Sequence, residues 1–146
     1  MSQKNLVSNF ISADDEMLAF LSNFSKKWCT SNDGAKFIEQ NFTFVGSKPV
    51  LQNLKGYKTA EYKNFTDIKK FLSSNPSIKS KILSDEISYI GDNITNIEVK
   101  FAPEYFYDFL KFIVENIPKH HYFCSPKEEW ILFIAMEGYV EFGVLH

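Results

Sequence analysis

Residues 129–146 read EWILFIAMEGYVEFGVLH, and this stretch decides the fold. From Trp130 to Met136 every position is apolar, so both alternating sets need cover: Trp130, Leu132, Ile134 and Met136 on one side, Ile131, Phe133 and Ala135 on the other. A strand with two apolar faces belongs inside a sheet, because solvent on either side would forfeit the burial of that face. Glu137-Gly138 then supplies a tight turn. Beyond it Val140, Phe142 and Val144 alternate with Tyr139, Glu141 and Gly143, the period-two pattern of a strand with one buried face. The pattern predicts a hairpin that anchors the core. Trp130 fills that core, Gly138 takes the positive φ of the turn, and Gly143 marks a close approach by a side chain or backbone.

Working upstream, Ile87 and Tyr89 alternate with Glu86 and Ser88, Gly91-Asp92-Asn93 punctuates, and Ile97, Val99 and Phe101 alternate again. Two such runs about a Gly-Asp-Asn turn predict a second hairpin. Ala102-Pro103-Glu104 opens a helix whose stripe is Phe106, Phe109, Leu110, Ile113 and Ile117, and Pro118 closes it. That helix is the natural cover for one face of the final hairpin. His120–Cys124 reads as a short strand, and Ser125-Pro126-Lys127 as its turn.

The N-terminal part is mainly helical in its signals. Ser12 fits an N-cap, and Met17, Phe20, Leu21, Phe24 and Trp28 recur at helical spacing. Thr66-Asp67 opens a short helix, and Asn75 as N-cap before Pro76 opens another. Residues 35–63 carry no single pattern. Phe37 and Ile38 suit a helix or a strand, Phe42 and Phe44 hint at an extended piece ending at Gly46, and Leu51 and Leu54 at one helical turn. The whole predicts one α+β domain over residues 1–146, with a helical part at about 12–84 and a strand-rich part at about 85–146. Its expected core is a mainly antiparallel sheet of about five strands, with N-terminal helices and one central helix packed on it.

Composition narrows the function classes. The net charge is −2, and all 16 cations are lysine. Without arginine the chain lacks the planar fork that grips phosphates and guanine edges, so no nucleic-acid partner is expected. Cys29 and Cys124 do not make a disulfide framework. MSQKNLVSNF lacks the pattern of a signal peptide, and no window is apolar enough to span a membrane, so a cytoplasmic protein without a membrane partner is expected. The six glycines form no phosphate-binding loop, and no cofactor is expected.

The one histidine–cysteine cluster is His120-His121-Tyr122-Phe123-Cys124. On a strand His120 and Cys124 share a face but lie about 13 Å apart at roughly 3.3 Å per residue. That is too far for a nucleophile–base pair or for two ligands of one zinc, and His121 points away from Cys124. No catalytic or metal-binding residue is assigned. The candidate partner-binding residues are acidic: Asp85, Glu86, Asp92 and Glu98 about the first hairpin, and Glu128, Glu129, Glu137 and Glu141 about the last. Acids at these positions would also simply keep strand faces solvated. A small acidic protein can steer onto and occlude a basic partner, and under that reading reversing Glu137 and Glu141 to lysine weakens binding without unfolding the chain. Two other readings stay open. One is a small enzyme or ligand-binding domain with its site near His120, His121 and Glu141. The other is a nucleic-acid-associated domain using Lys69, Lys70, Lys79 and Lys81.

In the C-terminal third, a helix is followed by His121-Tyr122-Phe123, a turn, Trp130 in an apolar strand, Glu137-Gly138-Tyr139 and Phe142-Gly143. This succession resembles small bacterial immunity proteins, the cognate inhibitors encoded with polymorphic or contact-dependent growth inhibition toxins. The resemblance transfers no residue role by position. It implies a cytoplasmic, non-enzymatic protein that binds one toxin domain, with a nuclease as the first expectation, and blocks its active site.

Overall fold

In a computed structural model, which describes residues 13–23, 28–91 and 98–145, the apolar run forms the strand β8, Trp130–Ala135, fifth of seven in one antiparallel sheet. The other strands are β1 (Trp28–Ser31), β4 (Lys55–Glu61), β5 (Ile87–Gly91), β6 (Glu98–Phe101), β7 (His121–Ser125) and β9 (Tyr139–Val144). Their order across the sheet is β1-β6-β5-β7-β8-β9-β4. A separate two-stranded ribbon joins β2 (Phe44–Val45) to β3 (Lys48–Pro49). The helices are α1 (Ala13–Leu21), α2 (Asp33–Asn41), α3 (Phe65–Ser73), α4 (Pro76–Ile82) and α5 (Phe106–Asn116), the last entered through a 3-10 turn at Pro103–Tyr105. Among the described residues no helix is long and apolar enough to cross a membrane.

Both faces of β8 are covered, each by a different part of the chain. Trp130, Leu132 and Ile134 share a core with α1, α3, α4 and α5, including the whole expected stripe Phe106, Phe109, Leu110, Ile113 and Ile117. Ile131, Phe133 and Ala135 pack with Phe37, Ile38 and Phe42 of α2 and its exit, and with Leu51. The protein is therefore three layers: four helices, the sheet, and a second cover made of α2, the β2–β3 ribbon and the segment through Leu54. Phe37 and Ile38 belong to a helix, and Phe42 leads into the short extended pair that turns at Gly46, where φ is +64°.

Seven strands replace the expected five, and the two additions are the edges. β1 pairs with β6, placing Trp28 opposite Phe101, so Trp28 leaves the stripe of the first helix, which ends at Leu21. Trp28 packs against the helix-side core from a strand, and a β-prone Trp-Cys-Thr-Ser run closes the open edge of β6. β4 pairs with β9, and a register shift between Lys55 and Lys58, beside the positive-φ Gly56, interrupts its alternation. Only Tyr57 and Ala60 of β4 are half-buried, so this edge shows no apolar period. The helical part at 12–84 thus donates both edge strands to the sheet built by 85–146. Ser12, Phe24, Asp92 and Ile97 lie outside the described residues.

Local chemistry fixes the remaining joints. Asn64 caps α3 by accepting the Asp67 N–H at 3.1 Å, and Asp67 accepts the Lys63 N–H at 2.8 Å. Asn75 is the N-cap of α4 with Pro76 in its first turn, as expected, but its side chain makes no capping bond: its amide donates back to the Phe71 carbonyl at 2.7 Å and helps close α3. The α2 N-terminus meets a carboxylate from the sheet: Glu98 accepts the Gly34 and Ala35 N–H groups, both at 2.8 Å. A Cβ on Gly34 would stand 2.8 Å from Ser88 Cβ, so glycine lets the helix reach that carboxylate.

Gly138 has φ +100° in the β8–β9 turn, and Gly143 is the close approach foreseen in the sequence, with Leu54 as the approaching side chain. A Cβ there would lie 2.8 Å from Leu54 Cβ. Gly143→Ala is expected to cost about 1–3 kcal/mol in denaturant unfolding. Combining it with Leu54→Ala should cost less than the sum of the two single changes; strict additivity would mean that the contact is not what Gly143 protects.

Candidate functional site

The eight acids singled out in the sequence do not form one surface. Asp85, Glu86, Glu128 and Glu129 gather at the end of the sheet where β5 and β8 begin, held by an ion pair of Lys127 with Asp85 at 3.0 Å. The Glu86 N–H and then Lys127 hold the Asp85 carboxyl below the usual range. Glu137 lies at the other end of β8, about 20 Å away at roughly 3.3 Å per residue. Glu98 and Glu141 are buried, the former capping α2 and the latter accepting a hydrogen bond from the Tyr57 hydroxyl. Asp92 is outside the described residues. Neither charge reversal is expected to be stability-neutral: a lysine at 141 would bury its ammonium against the sheet, and one at 137 would face Lys48 and His120.

The histidine–cysteine cluster is spent on structure. His121 is buried on the helix side, where its Nε2–H donates to the Ile117 carbonyl at 2.9 Å and its Nδ1 accepts from the Tyr89 hydroxyl at 2.7 Å. The carbonyl can only accept, which selects this tautomer. Cys124 faces the other layer, near the Gly34 carbonyl, and burial pushes its thiol far above the ordinary range. His120 and Glu141 make separate contacts, and His121 lies across the sheet from Glu141, so the three do not converge. Lys69, Lys70 and Lys79 are exposed on α3 and α4, with Lys69 over the Tyr107 ring at 5.5 Å. Among the described residues no three His, Cys, Asp or Glu side chains are grouped to hold a metal ion.

The surface feature that the sequence did not reveal sits at the Glu137 end. Val45 is 71% exposed, Met136 57% and Phe44 38%. They project from two turns clipped together: Lys48, the strand partner of Val45, forms an ion pair with Glu137 and lies over the Tyr139 ring at 5.4 Å. His120 braces the clip from beneath, its Nδ1 accepting the Met136 N–H at 3.0 Å and its Nε2 lying 3.7 Å from Glu137. Phe44 leans on Tyr122, whose hydroxyl donates to the Ser47 carbonyl at 2.6 Å. The result is two turns, braced about an ion pair, that hold three apolar side chains in solvent. Met136 reads in sequence as the last core residue of its strand, but β8 ends at Ala135 and the turn carries Met136 outward. Its position beside Glu137-Gly138 was the only available signal.

No family model, curated protein or solved structure matches the chain.

Tyr57 and Glu141 give the site's flank a pH signature. Burial, and then the Glu141 acceptor, push the Tyr57 hydroxyl up to about 12. The fold thus favours the neutral hydroxyl, a contribution complete below the free-tyrosine value of about 10 and lost as pH rises through about 12. Tyr57→Phe should cost about 1–3 kcal/mol at neutral pH by leaving a buried carboxylate without its donor. The gap between wild type and variant should then shrink from pH 10 to 12 in urea titrations; a constant gap would show that the pair adds nothing to the fold.

Proposed function

We propose that this chain is an immunity-type inhibitor: a cytoplasmic, non-enzymatic protein that binds a cognate bacterial toxin domain, a nuclease by first choice, and occludes its active site. The observation that carries the reading is the pair of turns, joined by Lys48–Glu137, that expose Phe44, Val45 and Met136. Exposed aromatic and methionine side chains around a fixed polar pair are the composition of an interface centre, where a few anchors supply most of the affinity. The brace also lowers the cost of association, because turns already held by His120 lose little freedom on binding. The net charge of −2 favours approach to a basic nucleic-acid cleft. The engagement of His121, Cys124 and Glu141 inside the fold supports binding over chemistry at those residues.

The reading requires a large secreted protein encoded directly upstream of this chain, and the test uses the C-terminal domain of that protein. The two should form a stable complex, and the toxin activity should stop. Val45→Glu and Met136→Glu, both at exposed positions, should each weaken the complex about 100-fold, near 2.7 kcal/mol, with melting temperatures unchanged. Full affinity in both variants would remove these side chains from the interface, and no complex with the wild-type chain would remove the function.

A further inference from the structure

His120 is held by two groups that make opposite demands on its ring. The residue is 8% exposed, and its Nδ1 accepts the Met136 N–H at 3.0 Å while its Nε2 lies 3.7 Å from the Glu137 carboxylate. A backbone N–H can only donate, so the bond to Met136 requires Nδ1 without a proton and leaves the ring proton on Nε2. The carboxylate on the other side favours a ring that carries both protons. In the imidazolium both nitrogens are donors, and Nδ1 then opposes the Met136 N–H instead of holding it. Proton uptake and this hydrogen bond exclude each other. His121 is under no such rule, because its Nδ1 meets the Tyr89 hydroxyl, which can accept as well as donate.

Charged and titratable groups approach His120 from several elements. From the β8–β9 turn comes Glu137, whose carboxyl is held below the usual range by Lys48 first and by His120 least, so it is ionised wherever a histidine titrates. β3 contributes Lys48, which pairs with Glu137 and lies over the Tyr139 ring of β9. β8 contributes the Phe133 ring, 5.3 Å away. Past β4, Tyr62 donates to the Ala135 carbonyl, and burial raises its hydroxyl, so it stays neutral. Lys119 and His121, the chain neighbours, line a cleft beside Ile117. We propose that His120 is a proton-operated latch on the turn that presents Met136. Neutral, it holds the Met136 amide and keeps the turn against the start of β7. Protonated, it releases that amide and takes Glu137 as its counter-charge in competition with Lys48, loosening the clip between this turn and the β2–β3 ribbon. The bond is thus present at high pH and lost as pH falls through the titration of the ring. The latch belongs to the free chain; its effect on a complex, weaker binding at Met136 as pH falls, rests on the inhibitor reading.

The experiment is an NMR titration of the whole chain from about pH 8 to about pH 5, the range in which histidines change charge, with amide hydrogen exchange read at both ends. At the upper end the ring nitrogens of His120 should report the Nε2–H tautomer, and the ring should gain its second proton within the range. Over the same midpoint the Met136 amide should shift, and its protection, corrected for the intrinsic pH dependence of exchange, should fall about tenfold. The amides of Ile131 and Phe133 inside β8 should keep theirs. His120→Asn, whose side-chain oxygen can accept the Met136 N–H but takes up no proton, should keep that amide protected at both ends. Glu137→Gln should move the His120 midpoint to lower pH, because the imidazolium loses the carboxylate at Nε2. A ring that stays neutral throughout, or one that starts as the Nδ1–H tautomer, overturns the proposal. So does Met136 protection that does not follow the His120 midpoint, the same loss of protection in His120→Asn, or an unmoved midpoint in Glu137→Gln. Every readout uses the free chain, so failure of the latch and failure of the inhibitor reading are told apart.

Discussion

One strand with two apolar faces dictates the architecture. β8 has no solvated side, so the chain must build a layer on each, and nearly every other contact serves that requirement. The helix side is supplied by α1, α3, α4 and α5, whose apolar stripes are broad and regular. The other side is supplied by α2 and the irregular segment that follows, with Leu51 buried and Leu54 pressed onto Gly143. Two glycines make that second layer possible. Gly34 lets α2 sit on the sheet, and Gly143 leaves room for Leu54.

The same constraint separates groups with a structural duty from groups that face a partner. Buried polar side chains are committed: Glu98 to the α2 N-terminus, Glu141 to Tyr57, His121 to Tyr89 and the Ile117 carbonyl. Ser88 is the exception beneath the second layer, its buried hydroxyl without a hydrogen-bond partner among the described residues. Where the second layer meets the end of β8, the chain turns twice in close quarters, and these turns carry Val45 and Met136 into solvent. The interface proposed here is thus a by-product of covering the core, stiffened by the bonds that hold the cover in place.

How much of this is legible in the sequence depends on whether a residue's period reports its burial. The final hairpin, the β5–β6 pairing, α5 and its stripe are legible because each buries one regular face, and β8 because it buries two. The edge strands are not. β4 buries little and is broken by Gly56, while Trp28 continues a helical stripe by coincidence of spacing. The second layer is hidden for another reason: Phe37, Phe42, Leu51 and Leu54 meet the sheet from separate turns, so no single period joins them. Of the acids, solvent exposure is legible only as a tendency. Period two places Glu98 and Glu141 opposite the helix-side core, but whether that face meets water depends on a layer that the pattern does not show. The braced turns and the two-sided hold on His120 are products of tertiary contact, and their residues carry no local signature.

The most direct test of the account is native-state hydrogen exchange across α2 and β8. If the second layer is integral to the core, the amides of Phe37, Ile38 and Phe42 should exchange with the same opening free energy as those of Ile131 and Phe133, both equal to the global unfolding value. If residues 33–54 exchange through a low-energy opening while β8 stays protected, the two-face constraint does not govern this fold.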